Sequence, residues 1–294
     1  MNILLTGGSG FIGSSVLKIL SKKKDIKIYA TYKNKKPKFS SDKNTKWVKF
    51  DIFKLSDFKL DFKMIDVVIH LSWPYLPDYT TQNHLNKNLK AQKSFLNRLI
   101  KSGIKNFFIA GTCYEYGLRS GRLLETTKKT PNNSYASSKN QLREYLFKLN
   151  KNNRINIAWG RIFYIYGINK RRDTLYNLVL NLKKRKDMTV ASNFYRDYLN
   201  IDILANIIVI LSLKKENLGE INLCSGFSIS LKKLINYFCK INNINNDINY
   251  KKKISKFEAN NFFGDNKKLM KILRNSLSVK NYERIKLLMV KHNK

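Results

Sequence analysis

Thr6-Gly7-Gly8-Ser9-Gly10-Phe11-Ile12-Gly13 follows the apolar run Asn2-Ile3-Leu4-Leu5 and opens a stretch, Phe11 to Ser21, with apolar residues on one face. The order is strand, glycine-rich turn, helix. Gly7 permits a tight turn, Gly10 lets the backbone approach a ligand, and Gly13 allows the helix to pack closely on the strand. A helix N-terminus offers unpaired N–H groups and a partial positive charge to an anion. The stretch therefore predicts a pyrophosphate cradle for a dinucleotide.

Outward from this turn, strand-like and helix-like segments alternate. Strands are predicted at Ile3–Thr6, Lys27–Tyr32, Trp47–Phe50, Val67–Leu71, Asn106–Ala110 and Asn156–Ile162. Helices are predicted at Asn86–Lys101 and Tyr135–Asn150. Short, continuously apolar strands alternating with helices imply a parallel sheet covered on both faces. The fold class is thus α/β, a Rossmann-type doubly wound parallel sheet. Past Gly167 the pattern changes to a charged loop at Lys170–Asp173, helices at Thr174–Lys186, Asp202–Leu213, Leu231–Lys240 and Lys267–Leu273, and a strand at Glu220–Leu223. With four prolines and no Gly/Ser linker, a smaller C-terminal lobe is woven into the first domain. The expected division is 1–165 for the dinucleotide-binding domain and 166–294 for a substrate lobe, with a segment near 195–215 returning to the first domain.

The chain has 294 residues, 43% of them hydrophobic, with 17 Phe and 16 Tyr, ample for a buried core. It carries 57 Lys+Arg against 20 Asp+Glu, a net charge of +37. Such an excess raises the question of nucleic acid. The lysines are spread along the chain beside abundant Asn and Ile, which reads as A+T-rich coding and argues against a nucleic-acid partner. The field still draws in anionic ligands. Cys113, Cys224 and Cys239 lack metal spacing, so no metal is expected, and a reducing, cytoplasmic setting is. No targeting peptide and no membrane span are expected from the residue pattern.

Tyr135 and Lys139 stand four residues apart in Ser134-Tyr135-Ala136-Ser137-Ser138-Lys139, on one helix face. A nearby ammonium is expected to lower the phenol's pKa toward neutrality, so that Tyr135 can exchange a proton with a carbonyl oxygen. Thr112, ending the fifth strand, can hold the same oxygen. After the second strand, Thr31-Tyr32-Lys33-Asn34-Lys35-Lys36 has no carboxylate for a ribose 2′-hydroxyl, and Lys33 could pair with a 2′-phosphate. That favours NADP(H), with NAD(H) possible. Asp51-Ile52 could reach the adenine, or Asp51 could be a strand-end turn residue.

Together these residues resemble the extended short-chain dehydrogenase/reductases, the NAD-dependent epimerase/dehydratase group that acts on nucleotide sugars. The resemblance runs from Met1 to about Leu273. It rests on Thr6–Gly13, Asp51-Ile52, His70-Leu71-Ser72, Asn88, Thr112–Gly117, Tyr135–Lys139, Arg161–Gly167, Arg196–Asp202 and Ile221–Gly226. It implies catalytic Thr112, Tyr135 and Lys139. It implies cofactor binding by Gly7, Gly10, Phe11, Ile12, Gly13, Lys33, Asp51, Ile52, Leu71, Ser72 and Lys139. Substrate contacts are expected from Trp73, Thr112, Tyr114, Tyr164 and Arg196, the arginine matching the one on the diphosphate side of the ligand. The resemblance also implies a homodimer, paired through the helices at 86–101 and 135–150.

Departures narrow the chemistry. The acidic pair that sugar 4,6-dehydratases carry after the catalytic Thr is replaced by Cys113 and Tyr114, which argues against elimination of water. Glu115 is expected to be a local hydrogen-bonding residue. The histidines, His70, His84 and His292, fall outside the segment where C3/C5 epimerases need one. Tyr164 replaces the family's usual Asn. The segment His70–Tyr79 is similar to a subgroup near the dTDP-4-dehydro-6-deoxyglucose reductases. Trp73 and Tyr75 could line a sugar pocket there, or pack for purely structural reasons. The expectation is a reductase of an NDP-4-keto-6-deoxyhexose in polysaccharide, for example O-antigen, biosynthesis. The alternative is an NDP-sugar 4-epimerase with tightly bound NAD, and a remoter one is a non-catalytic RNA binder.

Overall fold

The computed structural model describes residues 1–37, 43–167, 189–241, 243, 248–252 and 259–289. The loop expected at Lys170–Asp173 and the helix at Thr174–Lys186 lie outside them. In chain order the strands are β1 (Asn2–Thr6), β2 (Lys27–Tyr32), β3 (Thr45–Lys49), β4 (Val67–His70), β5 (Asn106–Thr112), β6 (Gly121–Leu123), β7 (Asn156–Ile162), β8 (Tyr164–Tyr166), β9 (Thr189–Ala191), β10 (Tyr195–Arg196), β11 (Tyr198–Asn200), β12 (Gly219–Leu223), β13 (Ile229–Ser230), β14 (Asn249–Lys251) and β15 (Phe262–Gly264). The helices that build the candidate site are α1 (Phe11–Leu20), α2 (Leu89–Lys101) and α3 (Ser134–Asn153). Further helices span Ile201–Leu213, Leu231–Ile241, Lys267–Arg274 and Val279–Met289.

The chain divides into two compact units, the first comprising 1–115, 129–161 and 205–221, the second 116–128, 162–204 and 222–294. The first carries the expected doubly wound parallel sheet. Its seven strands lie in the order β12-β7-β5-β4-β1-β2-β3. The register sets Leu4 beside Tyr29 on one side and Val68 on the other. β4 is buried at all four residues, which is why its sequence shows no polar alternation. One face is packed by Phe95, Leu96, Leu99 and Ile100 of α2 and Leu142 and Leu146 of α3 against Leu4, Val68, Ile109, Ile157 and Trp159.

Two helix starts differ from the sequence reading. The helix expected from Asn86 is preceded by a π-helical turn, His84–Asn88, in which both His84 and Asn88 are buried. The wider turn admits an extra inward-facing residue, which a 3.6-residue period does not announce. The helix expected from Tyr135 begins at Ser134, because the Asn133 side chain accepts the Ala136 N–H at 2.8 Å and caps it.

The second unit is built from short strand pairs: β8 with β11, β9 with β14, β6 with β15, all parallel, and β10 with β13, antiparallel. Tyr166, Val190, Tyr198, Leu234, Ile235 and Phe238 form its core. Asp197 ties its loops together, accepting from Ser225 N and Oγ at 2.6 and 2.7 Å, Gly226 N at 2.9 Å and Gly264 N at 3.3 Å. Burial raises its carboxyl to about 6, against the pull of those bonds. No helix among the described residues is long and apolar enough to cross a membrane.

Candidate active site

The strand order reverses between β1 and β4, and in such sheets the ligand crevice lies at the C-terminal ends of the strands flanking the reversal. Gly7 stands there with φ +71, in the left-handed region. A Cβ on it would meet Ser72 N at 3.0 Å, and a Cβ on Gly13 would collide with the Gly7 carbonyl oxygen. Gly10 N donates to Gly7 O at 2.8 Å, closing the turn. No side chain caps α1 at Gly10, so its first turn is available to an anion. These features fit a pyrophosphate-bearing cofactor.

Below the turn a buried polar chain braces β1 against β4. Thr6 Oγ1 accepts from Leu71 N at 3.2 Å and bonds His70 Nδ1 at 2.8 Å. His70 Nε2 meets Gln92 Oε1 at 2.6 Å, and Gln92 Nε2 donates to Ser72 O and to Asn88 Oδ1, both at 3.1 Å. Burial drops the His70 imidazole to about 4. Leu71 and Ser72 are thus fixed beside Gly7. Gln92 escaped the sequence reading, although it lies one helical turn past Asn88. At the far end of the crevice Lys33 and Asp51 pair with each other at 3.3 Å, both partly exposed. Lys33 Nζ also lies 5.5 Å from the centre of the Phe53 ring.

The catalytic candidates converge in the first unit. Thr112, Tyr135 and Lys139 are all at least nine-tenths buried, and the Thr112 side chain lies close enough to the Tyr135 phenol to act on its pKa. Lys139 Nζ donates to the Ala110 carbonyl at 2.6 Å. One expectation is corrected. Burial pushes the Tyr135 phenol well above its ordinary value, the Thr112 side chain opposing only in part. Burial likewise pulls the Lys139 ammonium down to about 7, against the attraction of Glu115. The low dielectric penalises both charged forms, and the ammonium is spent on a carbonyl.

Around this pair stands an aromatic shell. Trp73 lies with its ring centre 3.8 Å from Lys139 Nζ and 5.9 Å from the Tyr135 ring. Its Nε1 donates to His84 Nδ1 at 3.2 Å, and His84 Nε2 therefore donates to the Asp78 carbonyl at 2.7 Å. Tyr79 and Tyr114 approach the Tyr135 ring at 5.4 and 6.5 Å. Tyr75, at φ +72, packs on His84 and Phe53. The sequence marked Trp73, Tyr75 and Tyr114 but not His84, which packs on Trp73, Tyr75 and Tyr135. Glu115, expected as a local hydrogen-bonding residue, accepts Thr112 N–H at 2.9 Å, Trp159 Nε1 at 3.1 Å and Arg161 Nε at 2.7 Å. It therefore anchors the strand end that carries Thr112.

The other substrate candidates, Tyr164 and Arg196, belong to the second unit. The Arg196 guanidinium sits over the rings of Phe194, Phe262 and Tyr164 at 4.8, 4.8 and 5.8 Å. Its Nη1 donates to the Tyr195 and Asn260 carbonyls at 3.0 and 2.7 Å.

The model of the NAD dependent epimerase/dehydratase family matches residues 3–224. The chain belongs to that family. Among curated members, it is 29% identical over 250 residues to dTDP-6-deoxy-L-talose 4-dehydrogenase (NAD(+)) of Aggregatibacter actinomycetemcomitans, covering 83% of this chain and 92% of that one. It is 28% identical over 227 residues, 70% of each chain, to ADP-L-glycero-D-manno-heptose-6-epimerase of Brachyspira hyodysenteriae. The fold is that of the Bacillus cereus UDP-glucuronic acid 4-epimerase, solved in complex with UDP-glucuronic acid and NAD. That match has a TM-score of 0.76 at 22% identity and spans 100% of this chain and 99% of the other. As a member of this epimerase/dehydratase family the protein is an enzyme.

Proposed function

We propose that the protein reduces the C4 ketone of a nucleotide-linked 4-keto-6-deoxyhexose. The reading is carried by the burial of Thr112, Tyr135 and Lys139 together, with Tyr135 one helical turn from Lys139 and the Thr112 side chain acting on its phenol. A nicotinamide dinucleotide held at Gly7, Gly10 and Gly13 supplies the hydride when bound. Thr112 hydrogen-bonds the ketone oxygen, and Tyr135 gives its proton to that oxygen as negative charge develops. Lys139 carries the positive charge next to the phenol and would hydrogen-bond the nicotinamide ribose. Arg196 and Tyr164 are the proposed contacts on the nucleotide-sugar side.

A phenol held protonated by burial supports the reductive direction, since oxidation of an alcohol needs the phenolate. Cys113 and Tyr114 after Thr112 leave elimination without an acidic pair. Similarity to a 4-dehydrogenase of a 6-deoxyhexose supports the position of the reaction, the two directions being one equilibrium. For the cofactor, NADP(H) use rests on Lys33 and is opposed by the carboxylate of Asp51 beside it. NAD(H) is therefore also a substrate in this reading.

The test is incubation with dTDP-, GDP-, CDP- and UDP-linked 4-keto-6-deoxy sugars, following absorbance of NADH and of NADPH. Stoichiometric oxidation of either with one of these sugars is expected. Protein that purifies with NAD⁺ and interconverts C4 epimers without added cofactor would replace this reading with the epimerase.

A further inference from the structure

We propose that Trp73 is a positioning residue for the Tyr135–Lys139 pair: its indole face holds the Lys139 ammonium, and its Nε1–H, accepted by His84, locks the ring in that pose. The proposal rests on the reading of Tyr135 and Lys139 given above.

An ammonium is attracted to an aromatic face within about 6 Å of the ring centre, most strongly by Trp and more so when water is excluded. Lys139 Nζ lies 3.8 Å from the Trp73 centre and is buried, so both conditions hold. The other groups facing Lys139 are few. They are Tyr135 on α3, with its ring centre at 6.0 Å, the Ala110 carbonyl on β5, and Glu115 in the turn beyond. His70 on β4 and His84 in the π turn also feel its charge. Both imidazoles are pulled toward their neutral forms by burial. Glu115 is thus the only carboxylate among them, and after the Ala110 carbonyl the indole face is the nearest compensation for the desolvated ammonium.

The orientation of Trp73 is fixed from behind. His84 Nδ1 accepts the indole N–H, so its Nε2 carries the proton donated to Asp78 O. Protonation of Nδ1 would set two donors against each other, so the contact itself favours neutral His84. The loop is held further by Tyr135 N donating to Tyr79 O at 3.1 Å and Ser134 Oγ to Thr80 O at 3.1 Å. Tyr75, at φ +72, is a bulky residue in a costly backbone region, retained only where packing overdetermines it. The whole loop is therefore built to present one ring to one amine.

The first test needs no substrate. The fluorescence of Trp73, taken as wild type minus Trp73→Phe, is followed from pH 5 to 10. A single step near pH 7 is expected, and it should vanish in Lys139→Met, a substitution that keeps an apolar chain of similar length. No step, or a step that persists in Lys139→Met, overturns the proposal. Trp73→Tyr serves as the subtracted variant if Trp73→Phe does not melt cooperatively. The second test uses turnover of dTDP-4-keto-6-deoxyglucose with NADH. Trp73→Leu keeps the site dry but removes the face, so the ammonium is lost at lower pH. The alkaline limb of kcat should move toward acid by about one unit, with a smaller move in Trp73→Phe. An unmoved limb with lower kcat assigns Trp73 to packing alone and overturns the proposal. If wild type turns over no 4-keto sugar, the proposed function fails, while the fluorescence step still decides the Trp73–Lys139 contact.

Discussion

Single side chains in this protein do chemistry that their free pKa values do not describe. His70 is the clearest case for stability. Its folded pKa of about 4 lies below the ordinary 6.5, so the fold favours the neutral ring. That contribution is complete above 6.5 and is lost as pH falls from 6.5 through about 4. Its full size is roughly 3 kcal/mol. Urea unfolding at pH 7 and pH 4.5 should show a larger loss in wild type than in His70→Asn; equal losses would mean that His70 does not carry the dependence. In the proposed reading, Lys33 and Asp51 oppose each other in the choice of cofactor. Lys33→Ala should raise KM for NADPH by about tenfold and leave NADH nearly unchanged, whereas Asp51→Asn should favour NADPH, as steady-state kinetics with both cofactors would read. Lys33, Asp51, Tyr135 and Lys139 were all legible as residues in the sequence. Their electrostatic states were not, because burial and the Lys33–Asp51 pairing depend on contacts between distant segments.

At the scale of elements, the glycine turn and α1 make one device. Gly13 touches the Gly7 carbonyl so closely that any Cβ forces the helix away from β1. Gly13→Ala should weaken NAD⁺ binding by at least about tenfold in calorimetry, with the far-UV spectrum preserved; unchanged affinity would detach the cradle from the cofactor. This element was readable because its glycines have local causes. β1, β2, β4, β5 and β7 were readable for the same reason, each a short apolar run with both faces covered. The π turn at His84–Asn88 was not, since helical periodicity carries no mark of one extra inward residue. Nor were the two- and three-residue strands of the second unit, which exist through partners far along the chain, such as β6 with β15. His84 joined the site only through loop closure onto Trp73 and Asp78.

At the scale of the whole molecule the charge dominates. A net +37 on 294 residues repels itself, and salt screens that repulsion over a Debye length of about 10 Å at 0.1 M. The melting temperature should therefore rise by a few degrees between about 10 and 200 mM NaCl, as calorimetry would record; a flat or falling trend would mean that the charges are already locally paired. Family membership gives this basic chain a reaction class. The reaction proposed for it hangs on one buried phenol beside Thr112 and Lys139. Tyr135→Phe keeps the ring that packs on Trp73 and His84 and removes only the oxygen. The most direct measurement is therefore kcat of Tyr135→Phe on the 4-keto-6-deoxy sugar that wild type is proposed to reduce, with NAD⁺ affinity measured alongside. A loss of about 10²- to 10⁴-fold in kcat at unchanged affinity is the predicted result. Turnover within a few-fold of wild type would contradict it.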